Sequence, residues 1–261
     1  MVQMACGVLV VGIKGNNGTT FAASVLAQAL DLTWRDPRGR KVHSKEAVAG
    51  SVLMAGSCFT HFDKTSGQEV YRPLREMLPP GVDAVDTWRV AGWDVRDESM
   101  VEATRAAGVL SPELIDQMDP GLNFTQVFKG HMLAGRETEF TSEAVTLDPD
   151  AIDLHSSGLS FVQGVEADID KFRSDSGVSR VVVVWAGSTE APTPVLRDVT
   201  DLDVMSPSQL YAVAALRSGC HFVNGGAQNT LCPALVQFAQ ARGCRWLGTT
   251  GRVGRRRSSL R

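Results

Sequence analysis

The hydrophobic pattern divides the chain into short apolar runs that alternate with stretches of helical period. Residues 7–13, GVLVVGI, are apolar without two-residue alternation, which marks a strand buried on both faces of a parallel sheet. A glycine-rich turn follows, and then a helical stretch to Leu30 in which Phe21, Val25 and Ala29 share one face and Thr19 or Thr20 is the expected cap. A second run of the same kind, VVVVW at 181–185, is the clearest strand in the chain. The helix before it is read from Phe161, Val165, Ile169 and Phe172, with Gly177 as its stop. Ser206 to Gln209 spell a capping box with proline at the first helical position, Leu210, Val213 and Ala214 give that helix its inner face, and Gly219 ends it. A short strand, HFVN, then leads through a glycine and amide turn into a helix over about 231–242.

The middle of the chain is less regular. Residues 84–95 hold a strand ending at Gly92, Trp93 and Asp94, and Asp97 is the expected cap of a helix that Gly108 stops. Residues 31–68 are polar and glycine-punctuated around an apolar piece at 47–58, and 73–78 suggest a short helix closed by Pro79 and Pro80. Residues 119–158 show weak periodicity and read mostly as loop, with His131 and His155 as surface residues lacking a companion at metal-ligand spacing. Buried strands alternating with helices predict an α/β fold with a parallel, helix-covered sheet.

Composition changes this picture little. The chain has 261 residues, 43% hydrophobic and 21% charged, as expected of a globular protein. The formal net charge is −3 although five arginines crowd the last ten residues, so the remainder is more acidic still and no nucleic-acid partner is expected. Five cysteines make no CxxC pair, which suits reduced thiols in a cytoplasmic protein. No apolar stretch reaches the roughly 20 residues of a membrane span.

The chemistry concentrates at the first turn, where a strand, glycines and a helix N-terminus together favour an anion, most naturally a phosphate. Gly12 and Gly18 fit the first and last glycines of the dinucleotide fingerprint, but Lys14 holds the middle position and Gly15 follows one residue late. A P-loop is the competing reading, yet Thr19 stands where its lysine belongs. A turn that uses glycine only for geometry is the third. The acid expected about 20 residues later has only Asp36 as candidate. Asp94, at a strand end, is either a cofactor partner or a turn aspartate bonded to nearby N–H groups.

Taken in order, GNNGTT, GQEVYRPLREMLP, GWDVRD, VVVVWAGSTE, SPSQLYAVA and FVNGGAQNTLCPAL resemble the motifs of the inositol-3-phosphate synthase family over nearly the whole chain. The resemblance implies a doubly wound Rossmann-like domain that binds NAD, and an isomerase converting glucose 6-phosphate to inositol 3-phosphate for inositol and phospholipid synthesis. It implies oxidation at C5, enolisation, aldol closure and reduction, in a homo-tetramer without membrane or nucleic-acid partners. Carried to matching positions, Gly15, Asn16, Asn17 and Gly18 would hold the pyrophosphate, Asp94 and Thr189 would help place the cofactor, and Gly12, Thr19, Ala186, Gly187 and Ser188 would complete the cofactor site. Asn224, Gly225, Gln228 and Asn229 resemble the substrate-side turn.

Departures accompany the match. Lys14 replaces a family glycine, Gly187 and Ser188 replace an alanine and an asparagine, and Gly226 and Ala227 replace a serine and a proline. After Leu247 the chain reads GTTGRVGRRRSSLR where the family has an acidic, lysine-containing segment. The implied organisation is an NAD domain over 1–230 with an irregular insert at about 31–68, then at 231–261 the stub of a catalytic domain that is otherwise missing. No lysine here matches the family's catalytic ones, so no catalytic residue is expected in this chain. A non-catalytic NAD-binding regulator, a simple dehydrogenase and a P-loop NTPase are the alternatives.

Overall fold

The computed structural model describes residues 6–35, 39, 41–44, 59–63, 68–72, 87–136, 147–190, 196, 198–226 and 230–248. Asp36, the apolar piece at 47–58, the segment 73–78, Gln228, Asn229 and the arginine tail lie outside them. In chain order the elements are β1 (Cys6–Val11), α1 (Asn16–Ala29), β2 (Thr33–Arg35), β3 (Lys41–His43), β4 (Phe59–Asp63), β5 (Gln68–Arg72) and β6 (Arg89–Asp94). There follow α2 (Met100–Ala107), α3 (Pro112–Asn123), β7 (Gln126–Leu133), β8 (Ile152–His155), α4 (Gly158–Ser176) and β9 (Arg180–Trp185). The last are α5 (Pro207–Arg217), β10 (His221–Asn224), α6 (Pro233–Ala241) and β11 (Trp246–Gly248).

Seven strands form one sheet in the order β11-β10-β9-β1-β6-β7-β8, every neighbouring pair parallel. The chain runs outward from β1 to β8, then α4 carries it back to β9 on the other side of β1. Between β1 and β9 the winding therefore reverses, and this reversal opens a crevice at the strands' C-terminal ends.

The unalternating apolar run of β1 has the expected cause. Val8 and Val10 pack with α1, α2 and α3, while Leu9 and Val11 pack with α4, α5 and α6 on the opposite face. Each such side chain contributes about 1.5–3 kcal/mol by leaving water. In α5 every residue from Pro207 to Leu216 is buried, so this helix lies inside the core rather than upon it.

Local signals were read correctly at several ends. Gly177 caps α4 in the left-handed conformation at φ 69°, Gly108 does the same for α2 at φ 64°, and the Ser206 capping box opens α5 with Pro207 in its first turn. Others need correction. The N-cap of α1 is Gly15, not Thr19 or Thr20; both hydroxyls turn back to carbonyls of Gly15 and Asn16 inside the first turn. The N-cap of α2 is Ser99, not Asp97, because Glu102 three residues on completes a capping box with it. Ala29 is exposed rather than part of the buried face, since α1 ends there and the chain leaves the sheet.

The largest miss is 119–158. Those residues contain the end of α3 and the strands β7 and β8 rather than mostly loop. Pro120 obscured the helix, and the outer half of β7 is only partly buried, which blurs its apolar run. In the insert at 31–68, four strands of three to five residues form two antiparallel pairs, β2 with β3 and β4 with β5; such lengths are too short to show a period.

Candidate cofactor site

A cavity of about 200 Å³ lies where the sheet reverses, at the C-terminal ends of β1, β6, β7 and β9. The turn after β1 forms one wall with Gly12 and Gly15. Gly12 sits at φ +80°, a conformation open to glycine, and a Cβ there would stand 2.9 Å from the Gly187 Cα. The turns after β1 and β9 thus touch backbone to backbone. Gly18 lies beneath the turn; a Cβ on it would meet the Gly12 and Ile13 carbonyls at 2.4 and 2.5 Å, so its smallness lets α1 start directly under the loop.

The N-terminus of α1 carries no side-chain cap and no acid in its first turn. Its leading N–H groups are accordingly available to an anion, and the axial dipole favours one. Asn16 and Asn17 are exposed on this turn, whereas Thr19 is buried with its hydroxyl spent on backbone carbonyls. Lys14, in place of a third glycine, points away from the cavity. Its ammonium donates to the Arg96 carbonyl, and burial lowers its pKa against the pull of Asp94, Asp97 and Glu98. It ties the glycine turn to the loop after β6 and leaves the cavity clear.

Asp94 forms the opposite wall. It ends β6, the strand beside β1, which is where this class of sheet places its ribose-binding acid; the excursion through β2 to β5 moves it far from Asp36 in sequence. The carboxylate also accepts from the Lys14 N–H at 2.6 Å, the Val95 N–H at 3.0 Å, and the Arg96 N–H and Nε at 3.3 Å. This aspartate thus binds its own turns and also lines the cavity. Arg96 is held in turn by Glu98 at 2.7 Å.

Ala186, Gly187 and Ser188 close the third side, while Thr189 is exposed beyond the lining. Past them Glu190 is buried, and its two oxygens accept from the Ser208 N–H at 2.7 Å and the Ser208 hydroxyl. The N-terminus of α5 is thus occupied by the protein's own carboxylate, so α1 rather than α5 supplies the open anion site. On the substrate-side turn, Asn224 is buried and accepts from the Gly226 N–H at 2.9 Å, and the Gly225 N–H donates to the Trp185 carbonyl at 2.9 Å.

The sequence reading missed the cavity's inner wall. His131 is 4% exposed, not a surface residue: its Nδ1 lies 2.7 Å from the His155 Nε2 and its Nε2 lies 2.8 Å from the Asp168 carboxylate. The same Asp168 oxygen accepts the indole N–H of Trp93 at 2.7 Å. A carboxylate only accepts, so His131 donates through Nε2, and with a neutral ring its Nδ1 receives the His155 proton. Gly164 makes room for the pair, since a Cβ there would stand 2.8 Å from His131 and 3.0 Å from His155. Three elements far apart in sequence build this cluster, and no linear spacing announces it.

These features suit a dinucleotide: an uncapped helix N-terminus beside close-approaching glycines for the pyrophosphate, and an acid at the neighbouring strand end for a ribose. Comparison with known proteins agrees. An NAD-binding family model described as myo-inositol-1-phosphate synthase matches residues 6–253. Inositol-3-phosphate synthase 1 of Homo sapiens is 33% identical over 248 residues, covering 89% of this chain and 42% of its own length. Inositol-3-phosphate synthase of Saccharomyces cerevisiae is 25% identical over 253 residues, covering 91% and 46%. The crystal structure of inositol-3-phosphate synthase from Caenorhabditis elegans superposes with a TM-score of 0.72 at 24% identity, over 93% of this chain and 48% of that one, which shows the shared fold. The chain spans less than half the length of each of these relatives. Its cofactor is NAD, and it belongs to the myo-inositol-1-phosphate synthase family.

Proposed function

We propose that this chain is the cofactor-binding portion of an inositol-3-phosphate synthase, an isomerase that turns glucose 6-phosphate into inositol 3-phosphate for inositol and phospholipid synthesis. The observation that carries the reading is the uncapped N-terminus of α1 opening onto a cavity whose other wall is Asp94. NAD held by these residues would supply reversible hydride acceptance for the sugar's oxidation and later reduction.

In this reading the chain's residues bind and orient. The N–H groups of Asn16, Asn17 and Gly18 hold the pyrophosphate, with Gly15, whose own N–H is given to the Gly12 carbonyl, letting it approach, and Asp94 accepts ribose hydroxyls while keeping the Lys14 turn in place. Ala186, Gly187, Ser188 and Thr189 present backbone along the cofactor's other side. Asn224 and Gly225 are assigned to the phosphorylated sugar, and the sequence resemblance adds Gln228 and Asn229 to that set. The change of role falls near residue 230, although α6 and β11 continue the same sheet. Charge stabilisation in the enolate and aldol steps needs cationic donors. Among the described residues, Arg96 of the cavity lining is committed to Asp94 and Glu98, and Lys14 of the glycine turn to a carbonyl.

Calorimetric titration tests the reading. Saturable NAD binding that Gly15→Val weakens is expected, because Gly15 lines the cavity and has an ordinary φ of −68°. Magnesium-dependent ATP binding without NAD binding would favour the P-loop alternative instead.

A further inference from the structure

Two hydrogen-bond donors at the cavity's inner wall have no acceptor among the described residues. The indole Nε1 of Trp185 is fully buried without a partner. Trp185 lines the cavity, and the ring edge next to Nε1 runs under Gly187, whose added Cβ would stand 3.0–3.4 Å from it. A buried N–H left without an acceptor is costly, and at a ligand cavity that cost points to something that binds there.

Tyr211 is the second donor. Its phenol oxygen accepts from the His131 N–H at 3.0 Å, beyond Lys129, the last β7 residue paired with β6, so the side chain takes the place of a missing ladder partner. That bond uses the oxygen as acceptor and leaves the hydroxyl hydrogen unspent. Tyr211 is 2% exposed and lines the cavity, and its ring stands 5.9 Å from that of Trp185. Burial raises its ionisation far above the ordinary phenol range, and the carboxylates of Asp168, Asp94 and Asp153 add to the effect, so the proton stays on oxygen. The same three carboxylates make this wall hostile to a phosphate. A neutral acceptor suits it.

We propose that Trp185 and Tyr211 form a polar inner wall of the NAD site, donating their indole N–H and phenol O–H to uncharged oxygens of the dinucleotide, either ribose hydroxyls or the carboxamide carbonyl. This rests on reading the cavity as the NAD site. It assigns to the strand residue Trp185 and the core-helix residue Tyr211 a ligand contact beyond their packing.

The test is NMR of the intact 261-residue chain. The Trp185 indole N–H is identified among five tryptophans by Trp185→Phe, and Tyr211, one of only two tyrosines, is isolated with a labelled ring carbon in a Tyr71→Phe background. Saturating NAD is expected to shift the Trp185 indole proton and slow its exchange, and to move the Tyr211 ring-carbon signal. Trp185→Phe and Tyr211→Phe are each expected to bind NAD about threefold to tenfold more weakly, the size of one hydrogen bond. Repeating the titration with ADP-ribose, which keeps both riboses and lacks the nicotinamide, locates the oxygens: the same shifts place them on ribose hydroxyls, and their loss places them on the carboxamide. Unmoved signals in the NAD-saturated protein, or parental affinity in both phenylalanine variants, would overturn the proposal while leaving the NAD site intact. A parent chain that binds no NAD would overturn both.

Discussion

The backbone N–H of Lys14 donates to the Asp94 carboxylate at 2.6 Å, and this contact across 80 residues joins the glycine turn after β1 to the end of β6. The acid that lines the cavity is therefore also the clasp of the turn opposite it. Asp94→Ala would leave the Lys14 and Val95 N–H groups without their acceptor, at a cost of roughly 2–3 kcal/mol for bonds to a buried charge. Urea unfolding without ligand should show that loss, and titration should show weaker NAD binding in the same variant. Parental stability with weakened binding would mean that the clasp is redundant.

Glycines of the first turn separate into two kinds. Gly18→Ala forces a Cβ to within 2.6 Å of the Gly12 and Ile13 backbone, where no flexible side chain can yield, and should destabilise the fold by about 3 kcal/mol. Gly15→Ala meets only the Gly12 carbonyl at 3.2 Å and should keep its melting temperature while binding NAD less well. Thermal denaturation of the two variants side by side decides it. Equal melting temperatures would show that the turn relaxes more freely than its packing suggests.

These two residues also show what a linear reading reaches. The strands β1 and β9 and the helices α4 and α5 were legible because each is long and buried on a regular face, with Gly177 and the Ser206 box marking their ends. The strand-end position singles out Asp94, which lines the cavity, but its hydrogen bonds to the Lys14 turn depend on β6 lying beside β1. His131, His155 and Asp168 were not legible as a unit. They come from β7, β8 and α4, and only the parallel crossover brings them within 2.8 Å of one another in sequence-distant pairs.

The imidazole pair predicts a pH dependence. His155 has its pKa lowered, first by burial and then by the neighbouring His131, with Asp153 and Asp168 opposing. Its folded pKa lies below the unfolded value of 6.5, so the unfolded chain binds the proton more readily. This contribution to stability is present in full above pH 6.5 and is lost as pH falls through the folded pKa. His155→Gln should flatten the decline seen between about pH 7.5 and 5 in denaturation curves. An unchanged slope would place the acid sensitivity elsewhere.

The 261 residues alone are expected not to make inositol phosphate. Removal of a hydride needs only a bound cofactor and an oriented sugar, but the enolate and alkoxide that follow gather negative charge on oxygen, and stabilising it requires preorganised cations. Loss of a single such donor costs about 10² to 10³ in rate. Around this cavity Arg96 is held between Asp94 and Glu98, the Lys14 ammonium is given to a carbonyl, and Asp94 adds negative charge. The chain aligns with only 42–46% of the length of the relatives it matches. Purified protein with glucose 6-phosphate and NAD, followed by phosphorus NMR, should show the substrate signal persisting. Turnover at an ordinary enzymatic rate would mean that the charge-stabilising groups lie within these residues after all.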